Sequence, residues 1–220
     1  MIKKYFLLLL ATILLTGVHG QNRQVDLPKN IPLQDILKKA KKQKKHVLLD
    51  FGSPRCSPCL FIKNKIFTID SIADFINERF VSVDYTEGPE KKRLSKIYEV
   101  YTEPVLLICD ANGRVMHRME GKCTAGEMMA RLRQGLDVKN NLTAQKLMYD
   151  NGNRSSEFLI NYLETLHIAG LRTQRDSVLQ NIFSPSFHVD SLKTPKYWNV
   201  FLRYNESRRK LCIQTSGRIL

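Results

Sequence analysis

The chain is expected to fold as an α/β protein, with a central mixed β-sheet covered by helices and a small all-α region after it. Three observations predict this. Between residues 31 and 138, amphipathic helical stretches alternate with short apolar or β-branched runs. Two of those runs are separated only by the tight-turn sequence Asp110-Ala111-Asn112-Gly113, which marks an antiparallel hairpin. Beyond Asn140 no strand pattern survives, and apolar residues recur at helical spacing.

Each element follows from its own residues. Leu33, Ile36, Leu37 and Ala40 form the apolar stripe of a helix over residues 31–45. The run from His46 to Phe51 reads as a buried strand. Helix is expected from Cys59 to Phe67, and Asp70 can cap a further helix over residues 71–79, with Ile72, Phe75 and Ile76 on one face. Residues 80–84 alternate and are rich in β-formers, so they read as a second strand. Glu87-Gly88-Pro89 opens a helix to about Tyr98, with the proline in its first turn. Pro104 precedes Val105–Cys109, an apolar run suited to a strand covered on both faces, and residues 114–119 complete the hairpin. Thr124 caps a last helix reaching about Asp137.

The C-terminal segment, residues 141–204, is expected to form a small helical extension. Leu159, Leu163 and Leu166 share a stripe that Phe158 and Tyr162 widen, and Gly152 and Gly170 punctuate it. Residues 171–182 and 197–204 are further helical candidates. Residues 205–220 are basic and weakly patterned, and a frayed tail is expected there.

At the other end, residues 1–20 have the form of an export signal. Lys3 and Lys4 precede an apolar stretch from Tyr5 to Val18, and Val18-His19-Gly20 offers a small-residue cleavage site before Gln21. Export to the periplasm or beyond is therefore expected, with an uncleaved inner-membrane anchor as the alternative. Residues 21–30 would then link signal to domain. Loss of the two lysines would lower the formal net charge from +14 to +12.

That basic balance does not point to nucleic acid. Six lysines between Lys38 and Lys45 lie beside the apolar stripe as a solvated helix face, with no aromatic residues interleaved to stack bases. The five cysteines are an odd number, and only Cys56 and Cys59 are close in sequence. A disulfide framework would show several spaced pairs, so this usage is catalytic in character.

The chemistry is concentrated in Asp50-Phe-Gly-Ser-Pro-Arg-Cys56-Ser-Pro-Cys59. A Cys-x-x-Cys placed between a strand and a helix sets its first sulfur at the helix N-terminus, where unpaired N–H groups favour the thiolate. The second thiol is close enough to resolve a mixed disulfide on the first. Alone, the motif is also half of a zinc site. The other half would need a second ligand pair, and Cys109, Cys123, Cys212 and His117 are scattered. Thiol–disulfide exchange without metal or cofactor is the favoured reading. Cys109 reads as a small core residue, while a surface position is open to Cys123, as is pairing of Cys123 with Cys212.

The strand ending in Asp50-Phe51, the dithiol, Pro104 before a buried strand and Gly121 after the hairpin resemble the thioredoxin family over about residues 31–138. The exported form with a helical extension is similar to thioredoxin-like proteins common in Bacteroidetes. The resemblance implies a thioredoxin fold, a cis peptide before Pro104, and a groove there in which substrate backbone pairs as an added strand. It further implies that Asp50 assists proton transfer at Cys59. Three departures bear on partner choice. Arg55 stands where the family has tryptophan, Gly52 replaces another aromatic, and Glu103 precedes the proline. Arg55 would favour a Cys56 thiolate or stand as a solvated surface residue, whereas Glu103 would oppose the thiolate if it faces the dithiol. The family's buried lysine on the second strand lacks a clear counterpart, Ser82 being nearest. The implied partners are protein thiols and disulfides, with electrons from a membrane-bound donor and reduction or isomerisation as the direction. The alternative is a non-catalytic protein-binding module on the same scaffold.

Overall fold

The computed structural model describes residues 23–182 together with Pro195. The expected signal segment, the helix over 197–204, the C-terminal tail and Cys212 lie outside the described residues. Helix α1 (Leu33–Gln43) leads into strand β1 (His46–Phe51), followed by helix α2 (Ser57–Phe61), a π-helical turn (Ile62–Ile66) and helix α3 (Asp70–Arg79). Then come β2 (Phe80–Tyr85), α4 (Gly88–Ile97), β3 (Val105–Cys109), β4 (Val115–Glu120) and α5 (Ala125–Leu136). Helices α6 (Leu142–Asp150), α7 (Ser156–Ile168) and α8 (Arg172–Ile182) complete the described chain. None of these helices is long and apolar enough to cross a membrane.

The sheet runs in the order β2-β1-β3-β4. Strand β1 is parallel to β2 and antiparallel to β3, and β3 pairs antiparallel with β4 through the expected hairpin. Gly113 closes that turn at φ 84°, a conformation that costs glycine little because it has no Cβ. Side chains alternate between the two faces of a strand. Val47, Leu49 and Phe51 of β1 therefore join Val81, Val83 and Tyr85 of β2 in a core under α1 and α4. Leu48 points to the opposite core with Phe80, Leu106 and Ile108, where the π turn, α3 and α5 cover the sheet. By the same alternation Asp50, Ser82 and Asp84 belong to this second face.

Three local readings are corrected. Asp70 is the first residue of α3 rather than its cap: Ile69 holds the cap position without a side-chain bond, and Asp70 Oδ1 accepts from the Arg23 amide at 3.3 Å. Its charge still faces the positive end of the helix. Strand β2 runs one residue past the expected Asp84, to Tyr85, and is buried at all six positions because helices cover both faces. The helix after the dithiol begins at Ser57 and widens into the π turn. Thr124, by contrast, caps α5 as expected, in a reciprocal capping box with Glu127.

The helical extension forms its own core around Leu159, Leu163, Leu166 and Val178. It docks on β4, an edge strand of the sheet, through polar contacts. The Leu142 amide donates to His117 Nδ1 at 3.2 Å, and the Thr143 hydroxyl to the Val115 carbonyl at 2.8 Å. Arg118 Nε donates to the Ala169 carbonyl at 2.9 Å, and its Nη1 to the Tyr98 carbonyl at 3.3 Å. An edge covered in this way is withdrawn from pairing with other chains. Arg118→Met should cost about 2–4 kcal/mol in urea unfolding, because it strands these carbonyls and the nearby Glu120 carboxylate. Proteolysis between α5 and α6 should also become faster than in the parent.

Candidate active site

The dithiol sits where β1 gives way to α2. Cys56 is the N-cap of α2, and its Sγ accepts from the Cys59 amide at 3.2 Å. The two sulfurs are joined as a disulfide, with Cα atoms 5.2 Å apart. Cys56 is half-buried and Cys59 buried, the asymmetry expected of an attacking and a resolving thiol. Gly52 makes room for this. A Cβ there would stand 3.1 Å from Cys59 Sγ, so the glycine lets the resolving thiol pack closely against the end of β1.

On the second face of the sheet, Asp50 and Asp84 are direct register partners across β1 and β2. Both carboxylates are enclosed, and a single lysine from the π turn reaches them. Lys63 Nζ lies 2.8 Å from Asp84 Oδ2 and 3.3 Å from Asp50 Oδ2. Its aligned hydrogen bonds go to Asp84 and to Thr86 Oγ1, and the Thr86 hydroxyl donates to Asp84 Oδ1. Asp50 Oδ2 is left with an ion-pair distance but no well-directed hydrogen bond. Burial therefore dominates: it raises the Asp50 carboxyl to about 6, with Lys63 pulling down and Asp84 and Glu103 pushing up. A group so poised can take or give a proton near neutrality.

The network continues on the other side. Lys91 of α4 donates to the Thr86 carbonyl at 3.1 Å and to Glu103 Oε1 at 2.6 Å. Burial works against the charged Glu103, but hydrogen bonds from Lys91 and Ser53 outweigh it and hold the carboxyl below its usual range. The Glu103–Pro104 peptide is cis, as the resemblance implies, and the Gly121 amide donates to the Pro104 carbonyl at 3.0 Å. Glu103 thus does face the dithiol, with a carboxylate oxygen within 4.8 Å of both sulfurs. Arg55 is exposed, and no hydrogen bond or ion pair ties it to the sulfurs among the described residues.

The two other thiols among the described residues are buried. Cys109 lies in the first core and burial pushes it up to about 12; Cys123 lies in the second core, buried rather than at the surface, and is raised for the same reason. His117 is fully enclosed, its Nε2 without a partner, and burial lowers it to about 4. Neither cysteine nor His117 joins the dithiol.

Sequence reasoning missed Lys63, Asp84, Ser53 and Lys91. Ser82 is not the lysine's substitute, since its buried hydroxyl has no partner at all. The cation comes from another element. Its one sequence signal is spacing, because Lys63 follows buried Cys59 by four residues and so shares its helix face.

Residues 33–136 match the sequence profile of a thioredoxin-like domain. Among solved structures, the chain is similar to a protein provisionally described as a disulphide-isomerase from Bacteroides thetaiotaomicron. The two are 26% identical with a TM-score of 0.49, over 54% of this chain and 98% of that one. A thioredoxin from Thermus thermophilus is 21% identical with a TM-score of 0.46, over 54% and 93%. The oxidised C-terminal domain of DsbD from Neisseria meningitidis is 20% identical with a TM-score of 0.41, over 46% and 90%. No curated protein matches the chain.

Two opposed pH effects follow from these buried groups. Asp50 is raised from 3.8 to about 6, so it favours the fold below about pH 4 and loses that contribution as pH rises through 6. His117 is lowered from 6.5 to about 4, so it disfavours the fold progressively as pH falls from 6.5 toward 4. The parent should show a shallow stability profile across this window. Asp50→Asn should gain on the order of 2 kcal/mol at pH 7 and become steeply less stable as pH falls. His117→Gln should instead lose stability as pH rises from 4 to 6. Urea unfolding at several pH values reads both slopes, and identical slopes in the two variants would refute the assignment. The topology and the matched profile agree on a thioredoxin fold over residues 33–136, with a Cys-x-x-Cys pair between its first strand and the helix that follows.

Proposed function

We propose that the protein is an exported thiol–disulfide oxidoreductase acting on protein disulfides in the reducing or isomerising direction. The observation that supports it best is the pairing of a half-exposed Cys56 at a helix N-terminus with a buried Cys59, after a strand that carries an enclosed carboxyl near neutrality. Cys56 as thiolate attacks a substrate disulfide, and one substrate sulfur leaves as thiolate. The Cys59 thiol gives its proton to the Asp50 carboxylate and attacks Cys56, releasing the second substrate thiolate. Two electrons have then passed to the substrate, and the protein holds a Cys56–Cys59 disulfide.

Lys63 acts on this step by keeping Asp50 ionised often enough to accept the proton. Pro104, Glu103 and Arg55 would line the substrate groove, where Glu103 brings negative charge and Arg55 positive. The amino-terminal signal would place the protein in the periplasm or outside the cell, and a membrane-bound donor would return the dithiol to its reduced form.

The test is a glutathione redox titration of the purified protein, with free thiols counted by mass spectrometry. The expected result is a reversible two-electron couple confined to Cys56 and Cys59, with a midpoint between about −270 and −180 mV. A midpoint near −120 mV would reverse the direction, and no couple would remove the enzyme reading. Cys56→Ser should abolish disulfide reduction, while Cys59→Ser should accumulate a mixed disulfide with substrate. Lys63→Met should move the rising limb of the pH–rate profile to higher pH, because Asp50 then keeps its proton longer.

A further inference from the structure

Among the described residues, one group of metal-ligating atoms comes together: Cys56 Sγ, Cys59 Sγ and a Glu103 carboxylate oxygen, all within 4.8 Å of one another. Thiol chemistry alone does not call for this carboxylate, whose charge, though met in part by Lys91, opposes thiolate formation. Yet it is anchored there. Lys91 and Ser53 both donate to it, and the Gly121 amide ties the adjoining Pro104 carbonyl to the end of β4. A carboxylate can accept about four hydrogen bonds or ligands, so these two donors leave it free to bind a cation.

The charges point the same way. Two thiolates and Glu103 carry three negative charges, Lys91 supplies one positive, and the remainder equals one divalent cation. Two sulfurs and one oxygen form a three-ligand set with a fourth position open, because Cys56 is half-exposed and Glu103 exposed. Thiolate donors select zinc-class ions over magnesium or calcium. Lys91 is then a residue that orients a ligand from behind, a role that metal sites regularly use.

We propose that the reduced protein binds one zinc-class cation through Cys56, Cys59 and Glu103, and that the bound ion suspends disulfide exchange by occupying the nucleophile. The proposal rests on the dithiol being reducible, as in the function proposed above. A dithiol reductant first supplies two electrons and two protons, which convert the disulfide into two thiols. Zinc(II) then displaces both thiol protons to solvent, with no electron transfer. Tetrahedral coordination needs sulfurs about 3.7 Å apart, which the disulfide forbids and reduction permits. Oxidation of the dithiol expels the ion.

The full chain is reduced, desalted without oxygen, and titrated with zinc(II) against a chromophoric chelator. Cobalt(II) serves as the spectroscopic probe. The expected results are one ion per chain, no binding by the oxidised protein, and thiolate-to-cobalt charge transfer in the reduced one. Glu103→Gln should weaken zinc binding at least about tenfold. Should that variant fold poorly, zinc X-ray absorption of the parent decides instead, with two sulfurs and lighter atoms expected around the ion. Unchanged affinity in Glu103→Gln, equal binding by the oxidised protein, or a shell without two sulfurs would overturn the proposal. A reversible glutathione couple without zinc binding also overturns it, and leaves the oxidoreductase reading intact. Zinc binding by chemically reduced protein that shows no such couple would support the site and remove the exchange reading.

Discussion

Asp50 and Asp84 stand side by side on one face of the sheet, enclosed by helices, with one lysine between them. Two adjacent buried carboxylates repel each other and lose their hydration, so such a pair requires a cation. Lys63 provides it, and much else is arranged around that need. The helix after the dithiol widens into a π turn at Ile62–Ile66, and Lys63 lies within that turn. π turns of this kind are frequent at functional sites. The lysine has three donors, and Asp84 and Thr86 take the well-aligned ones. Asp50 is therefore the carboxyl left near neutrality. Its chemistry is a consequence of being second in line for a shared cation.

The same chain of contacts reaches the other wall of the site. Thr86 receives Lys63 through its hydroxyl and Lys91 through its carbonyl, and Lys91 holds Glu103. Acid and base alternate from Asp50 to Glu103, so a change at one end alters the field at the other. This couples the proton acceptor to the carboxylate beside the sulfurs. It also explains why Glu103 is compatible with the dithiol: its charge is met by Lys91 and Ser53 rather than presented whole to Cys56. The helical extension takes no part in this network. It covers the β4 edge through Arg118, His117 and Val115, and its contribution is to the integrity of the sheet.

Much of the architecture could be read from the residues. Strand β1 matches its apolar run to the residue, and the Asp110–Gly113 turn and the Thr124 cap fall where their side chains demand. These features are local, set by alternation, turn chemistry and capping. The start of α3 was misjudged by one residue because an aspartate serves equally as cap or as first-turn residue. The alternation in strand β2 leaves open where its polar Ser82 and Asp84 lie. Their burial depends on the helices that pack over them, which no short window of sequence contains.

The sequence by itself determined the order of elements, the placement of the dithiol at a strand–helix junction, and the candidacy of Asp50, Pro104 and Glu103. The first two rest on neighbours within a few residues, and the third on the resemblance to thioredoxins. Only the tertiary structure decided which charges meet. Lys63, Asp84 and Lys91 come from three separate elements, and their pairing is fixed by strand register and helix packing rather than by spacing along the chain. It likewise decided that Cys123 and His117 are buried away from the dithiol while Glu103 turns toward it. Electrostatics acts through space, and distance in space is what a sequence leaves unstated.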